Sequence, residues 1–297
     1  MDSLQAHHLI AHLDQIAEHR SVPFAEGRVM RWRLFGKGDP LVLVHGGHGS
    51  WLHWVRNIEV LARDHQVLVP DLPSFGDSDD LPPVADSAEG MQAIVAALIT
   101  SMDAVLGSRR VIDLVGFSYG GVVSANVAAL RGAVRRLALL GSPGSATPSR
   151  RKGEMMRWRN ADEAAQNAAL RNNLLAHMMY ADSNVDALAF RAYADAVKAT
   201  RYRGRGGAHR VPLNEILATY RRPVLFLYGE HDVICTPALA RQSLMNENAG
   251  REFHIIPGSG HWVQFEGATA TNEHLLRWLH GEIVTQAAPP LAVPEYT

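Results

Sequence analysis

The stretch Val111-Ile-Asp-Leu-Val-Gly-Phe-Ser-Tyr-Gly-Gly121 runs an apolar segment straight into Gly116-x-Ser118-x-Gly120. A serine on a sharp strand-to-helix turn is pushed out of the backbone, where a base can reach it, and small flanking residues keep that turn free of clashes. A hydroxyl attacks well only if a base takes its proton and a third group orients the base. The base candidate is His261 in Gly258-Ser-Gly-His-Trp262, and the orienting acid is Asp232 in Leu227-Tyr-Gly-Glu-His-Asp232. Glu230 lies beside the acid as its substitute. The Gly-rich run Val44-His-Gly-Gly-His-Gly-Ser50 supplies backbone for an oxyanion hole, with the N–H groups of Gly47 and Tyr119 as the two donors.

Other polar residues near these motifs have structural readings. His45 is expected to hydrogen-bond loop backbone, and His231 and His254 to be structural. Asp71 and Asp77 should shape the loop after their strand, and Cys235 should be packed near the acid loop and inert. His48 and Trp262 are candidates for the substrate pocket. Trp51, Trp54, Met155, Met156, Trp158, Met178 and Met179 either line an acyl pocket or pack the core.

Positioning these groups requires strands ending at one edge. Apolar runs of strand length recur at 41–44, 66–69, 111–115, 137–140, 224–228 and 252–256. Helical periodicity appears at 87–106, 122–130, 237–246 and 269–283. Near-continuous Val/Leu/Ile strands alternating with helices imply a parallel sheet covered on both faces. Ser118, Asp232 and His261 all follow such runs, at the strand ends where open α/β sheets build their sites. Thr236-Pro237 reads as a helix start, with a capping hydroxyl before a first-turn proline.

The reading divides the chain into an N-terminal helical extension (1–27), a core (28–147 and 223–284), a helical cap (148–222) and a Pro-rich tail (285–297) expected to be disordered. The cap holds helix-like segments near 154–180 and 186–200. The basic Gly-rich run at 201–210 is expected to be a solvated loop.

With 47% apolar and 20% charged residues, the composition is that of a globular protein with a sizeable core. A net charge of -1 argues against nucleic-acid and membrane partners. One cysteine rules out an intramolecular disulfide and favours a reducing compartment. The N-terminus lacks a signal-peptide pattern, and no apolar run reaches about 18 residues, so a cytoplasmic location is expected. The 15 histidines show no metal-ligand spacing, so no metal is expected.

The chain resembles the α/β-hydrolase superfamily over roughly 28–284, through His45-Gly46-Gly47, Pro70-Asp-Leu-Pro-Ser-Phe-Gly-Asp-Ser78, the serine turn, Gly229-Glu-His-Asp232 and Gly260-His261. The resemblance implies an eight-stranded, mostly parallel sheet with a helical cap, no cofactor, and acyl transfer to water; the substrate is expected to be a small molecule with an apolar acyl part. Serine at the turn fits carboxylesterases. It also fits the carbon–carbon hydrolases of meta-cleavage products, whose Gly-His-Trp-Ala-Gln-Trp-Glu segment resembles Gly260-His-Trp-Val-Gln-Phe-Glu266. Those carbon–carbon hydrolases usually carry Arg where this chain has Glu230 and Val233. A carboxylate-binding Arg would come from the cap, where Arg157, Arg159, Arg171 and Arg191 are available. Ester hydrolysis is therefore placed first and ketone cleavage second, with a ligand receptor that retains the triad as a remoter reading.

Overall fold

A computed structural model of the chain describes residues 1–84, 87–143, 153–202, 211–245 and 250–281. The tail at 285–297 and most of the basic run, 203–210, lie outside the described residues. The chain begins with α1 (Ser3–Ile16), β1 (Glu18–Ala25), β2 (Arg28–Phe35) and β3 (Asp39–Val44). A short 3-10 turn, Trp51–Trp54, leads to α2 (Ile58–Leu61), β4 (His65–Pro70), α3 (Ser87–Leu106), β5 (Ile112–Phe117), α4 (Tyr119–Arg131) and β6 (Val134–Leu140). The cap contributes α5 (Glu163–His177), a 3-10 turn at Asp182–Asn184, and α6 (Ala187–Ala199). After it come α7 (Leu213–Ile216), β7 (Val224–Gly229), α8 (Pro237–Leu244), β8 (Arg251–Ile256), α9 (Val263–Glu266) and α10 (Ala268–Leu279).

The strands form one sheet of eight in the order β1-β2-β4-β3-β5-β6-β7-β8. Only β2 runs against the others; β3 through β8 pair in parallel. The expected runs fall on β3 to β8, whose residues alternate between two buried layers. On β5, Val115 and Phe117 face the layer containing α1, the cap helices and α10, while Ile112 and Leu114 face the layer with α3 and α4. Burial on both sides is why these strands read as unbroken apolar runs. Helix α3 is apolar and long enough to pass the length and hydropathy test for a membrane span over Ala88–Leu106. Its Ile94, Leu98 and Met102 are wholly buried in the sheet's own core.

Three expectations are corrected. Residues 1–27 are not a helical extension throughout: β1 occupies Glu18–Ala25 and opens the sheet, paired with β2 from Glu18↔Leu34 to Ala25↔Arg28. As an edge strand it buries only Val22 and tolerates Pro23, so it carries no apolar signal. Helix α1, in turn, buries Ala6 and Leu13 in the core layer that holds Leu188. Helix α7, assigned by sequence to the cap, packs Leu213 among Val224, Phe226 and Leu244 of the core. At α8, Pro237 does occupy the first turn, but the Thr236 hydroxyl makes no capping bond.

Candidate active site

Parallel strands deliver the chemical groups to one edge of the sheet. Val44 pairs with Gly116, Phe117 with Leu140, and Gly229 with Ile256, so the segments that follow β3, β5, β6, β7 and β8 emerge side by side. The order of the sheet reverses at β3, between β4 and β5, and such a reversal leaves a crevice beyond the strand ends.

Ser118 caps α4 at φ 51°, ψ -119°, a left-handed conformation that costs a non-glycine residue about 1–3 kcal/mol. Its N–H is tied to Leu140 O at 2.8 Å, which holds the turn against β6. The glycines on either side are required sterically. A Cβ on Gly116 would lie 2.5 Å from Gly120 O, and one on Gly120 would lie 2.1 Å from His45 O. The turn is therefore pressed directly onto the loop after β3.

The His261 Nε2 lies 2.9 Å from Ser118 Oγ. Its Nδ1 lies 3.0 and 2.9 Å from the two Asp232 oxygens. Both groups are enclosed: the His261 and Asp232 side chains are only 1% and 0% exposed. Asp232 is itself fixed, because Oδ1 accepts from Ile234 N–H at 2.8 Å and Cys235 N–H at 2.9 Å. A carboxylate can only accept, so Nδ1 of His261 carries the proton and Nε2 is left to accept from the serine hydroxyl. Chemically, this relay can withdraw the Ser118 proton and return it to a leaving group.

The sequence's substitute acid points elsewhere: Glu230 accepts from Gly258 N–H at 2.9 Å. Cys235 is buried, its thiol donates to Gly141 O at 3.3 Å, and burial pushes that thiol well up. Asp232, Cys235 and His261 offer ligand atoms within 4.8 Å of one another, a spacing that could hold a metal ion. All three are bound to protein partners.

The loop after β3 is set by buried histidines. His45 donates from Nδ1 to Gly46 O at 2.8 Å and accepts at Nε2 from Leu72 N–H at 2.9 Å, as expected of a loop-shaping residue. Burial lowers its pKa from 6.5 to about 4 and keeps it neutral. Gly47 and Tyr119 are brought together: a Cβ on Gly47 would lie 3.7 Å from Tyr119 Cβ. Tyr119 opens α4, and first-turn N–H groups point out of a helix's N-terminus. His48 projects from the loop at φ 54°. Asp71 anchors the next turn, accepting from Trp51 N–H at 2.7 Å and Asp77 N–H at 3.1 Å, with Arg33 at 3.3 Å.

Sequence reasoning missed His53. Its Nδ1 accepts from Gly46 N–H at 3.2 Å and its carbonyl accepts from the Trp262 indole at 3.1 Å, so it braces the loop after β3 against the His261 loop. Burial, first, and the neighbouring histidines hold its pKa well below 6.5. Trp262, expected to line the pocket, is instead fully buried, 4.3 Å from the Phe265 ring. Met178 and Met179 are buried as core, and Met155 and Met156 are exposed. Among the cap arginines, Arg171 pairs with Asp182 and Arg191 with Asp195 along the cap itself. His177, at the end of α5, meets the His261 ring edge-on at 6.0 Å.

The model of the alpha/beta hydrolase family matches residues 41–273. The chain is 30% identical over 268 residues to the dihydrolipoyllysine-residue acetyltransferase component of an acetoin cleaving system from Pseudomonas putida, covering 85% of this chain and 67% of that one. It is 29% identical over 252 residues to 2-hydroxy-6-oxo-2,4-heptadienoate hydrolase of Pseudomonas putida, covering 78% and 85% respectively. A thermophilic esterase from Thermogutta terrifontis superposes with a TM-score of 0.69 at 22% identity, over 90% of this chain and 98% of that one. Hydrolases and esterases recur among its relatives and structural neighbours, and the chain belongs to the alpha/beta hydrolase family.

Proposed function

We propose that this hydrolase cleaves a small carboxylic ester, or a related acyl bond, with Ser118 as nucleophile, His261 as general base and acid, and Asp232 as the group orienting it. Ser118 Oγ attacks the carbonyl as Nε2 of His261 takes its proton, and the oxyanion accepts from the N–H groups of Gly47 and Tyr119. His261 then protonates the leaving alcohol. Water, activated by the same imidazole, releases the acid from the acyl-enzyme. The observation that carries this reading is the continuous Asp232–His261–Ser118 chain at 2.9 Å on each step, ending on a serine at positive φ. Each oxyanion donor is expected to contribute about 2.7–4 kcal/mol to the transition state.

Hydrolysis of a carbon–carbon bond in a 2-hydroxy-6-oxo-dienoate is the second reading, favoured by the likeness to a heptadienoate hydrolase. It is placed behind the ester because Glu230, where such enzymes usually carry Arg, is spent on Gly258 N–H. A paired assay separates the two. Wild type and Ser118→Ala are run on p-nitrophenyl esters from acetate to octanoate and on a 2-hydroxy-6-oxo-dienoate. Ester turnover lost in Ser118→Ala, with an optimum in acyl length, supports the esterase and an apolar acyl pocket. Preferential loss of the dienoate chromophore supports carbon–carbon cleavage. Turnover that survives in Ser118→Ala on either substrate removes the serine mechanism.

A further inference from the structure

Glu266 closes α9 and is half-buried. Its Oε2 accepts from Gly260 N–H at 2.7 Å and from Tyr180 N–H at 2.8 Å. Its Oε1 accepts from Ala181 N–H at 3.1 Å and from the Asn184 side-chain amide at 2.8 Å. Gly260 immediately precedes His261, while Tyr180, Ala181 and Asn184 belong to the cap just after α5. One carboxylate thus spans two elements with charge-assisted bonds, the stronger kind of hydrogen bond.

The two elements also touch through bare backbone. Trp262 N–H donates to Met178 O at 2.8 Å, and a Cβ on Gly260 would lie 2.7 Å from Tyr180 N. The Tyr180 ring stacks on His231, next to the acid, with centroids 3.5 Å apart. The cap segment held this way starts at the C-terminal end of α5, where His177 faces the His261 ring. His261 is therefore fixed from below by Asp232 and from the side by the cap.

We propose that Glu266 is a positioning residue that fastens the cap segment 178–184 to the loop bearing His261, so that seating the cap and placing the catalytic imidazole are one structural event. The proposal rests on the serine-hydrolase reading above. The chemistry of substitution makes a graded prediction. Glu266→Ala removes every acceptor. Glu266→Gln keeps one carbonyl oxygen for Gly260 and Tyr180 and sets an amide donor against Ala181 N–H, so it loosens the cap while sparing the His261 loop.

The experiment measures phosphonylation of Ser118 by a small fluorophosphonate, which reports the relay without needing the cap's substrate contacts, alongside kcat and KM on a p-nitrophenyl ester. Each variant is assayed well below its own melting midpoint. Glu266→Ala is expected to slow phosphonylation and kcat by about 10- to 100-fold, the scale set by an ångström of misplacement. Glu266→Gln is expected to stay within a few-fold of wild type in phosphonylation while KM rises and the Ala181 amide exchanges hydrogen faster. Wild-type phosphonylation in folded Glu266→Ala overturns the proposal, leaving Glu266 a stability residue only. Should Glu266→Ala fail to fold, Glu266→Gln decides: an unchanged KM with unchanged Ala181 exchange overturns the coupling. A wild-type enzyme inert to the fluorophosphonate would instead remove the serine-hydrolase reading itself, and the proposal with it.

Discussion

Replacing Asp232 by Asn tests the relay at the point where its geometry is most constrained. The Asp232 Oδ1 accepts from Ile234 N–H at 2.8 Å and Cys235 N–H at 2.9 Å. Both donors are backbone groups and cannot turn away. An asparagine must therefore put its carbonyl oxygen at the Oδ1 position and its amide nitrogen at the Oδ2 position. That nitrogen would sit 2.9 Å from His261 Nδ1, where the carboxylate now accepts. A donor there requires Nδ1 to be the acceptor, which moves the imidazole proton to Nε2, 2.9 Å from Ser118 Oγ. The base then has no lone pair for the serine proton. The expected loss is on the order of 10⁴ in kcat, about 5 kcal/mol of transition-state stabilisation. The loop should survive, because the amide oxygen keeps both backbone bonds, so the melting midpoint should change little and KM should stay close to wild type. Steady-state p-nitrophenyl ester hydrolysis with a parallel thermal melt measures both. A kcat within about tenfold of wild type would refute the tautomer argument, and Glu230 would then have to be released from Gly258 to supply the acid.

Three further expectations follow from the same geometry. Burial holds His45 at about 4, below its ordinary 6.5, so between those values the unfolded chain takes up a proton that the folded one refuses. Its contribution to stability is present above pH 6.5 and is lost as pH falls toward 4, by about 3 kcal/mol in all. Asp71 acts in the opposite sense: burial raises its carboxyl from 3.8 to about 6, so the folded chain binds the extra proton and gains stability as pH falls through that window. His45→Gln should therefore flatten the fall of the melting midpoint between pH 6.5 and 5, and a wild-type slope in that variant would count against a buried neutral imidazole. Gly120→Ala, with its Cβ 2.1 Å from His45 O, should lose about 3 kcal/mol or more in a denaturant titration. Gly132→Ala, at φ 73° in open space, should lose about 1 kcal/mol, and equal losses at the two positions would show that the contact at Gly120 is relieved by a backbone shift. Removing the serine hydroxyl in Ser118→Ala should abolish turnover with the melt unchanged.

Much of the sheet is legible in the sequence because β3 through β8 are mostly buried and carry apolar runs. The two strands that escaped are those for which this condition fails. β1 has one buried residue, Val22. β2 alternates Met30, Trp32 and Leu34 with arginines, and its Arg33 is buried only because Asp14, Asp71 and Asp77 surround it. An ion cluster of that kind is assembled from three separate segments, and no local pattern announces it. Thr236 illustrates the converse, a residue with the right chemistry for a cap whose hydroxyl makes no capping bond.

The same distinction divides the site. Ser118, Asp232 and His261 were legible because each is a reactive side chain placed just beyond a strand end, where type and position reinforce one another. Gly47 and Tyr119 were reached through the loop and turn that contain them. His53 and Glu266 were not assigned roles, because what they hold is backbone: the N–H of Gly46 in one case, and those of Gly260, Tyr180 and Ala181 in the other. Every residue but proline offers that donor, so the sequence on the receiving side carries no mark of the contact. Trp262 was misplaced for a related reason. Its indole binds the His53 carbonyl, and that bond holds a side chain adjacent to His261 in the core. Residues next to a reactive group are thus divided by their hydrogen-bond partners rather than by their proximity, and the side chains that steady His261 act from the cap and the oxyanion loop as much as from its own strand.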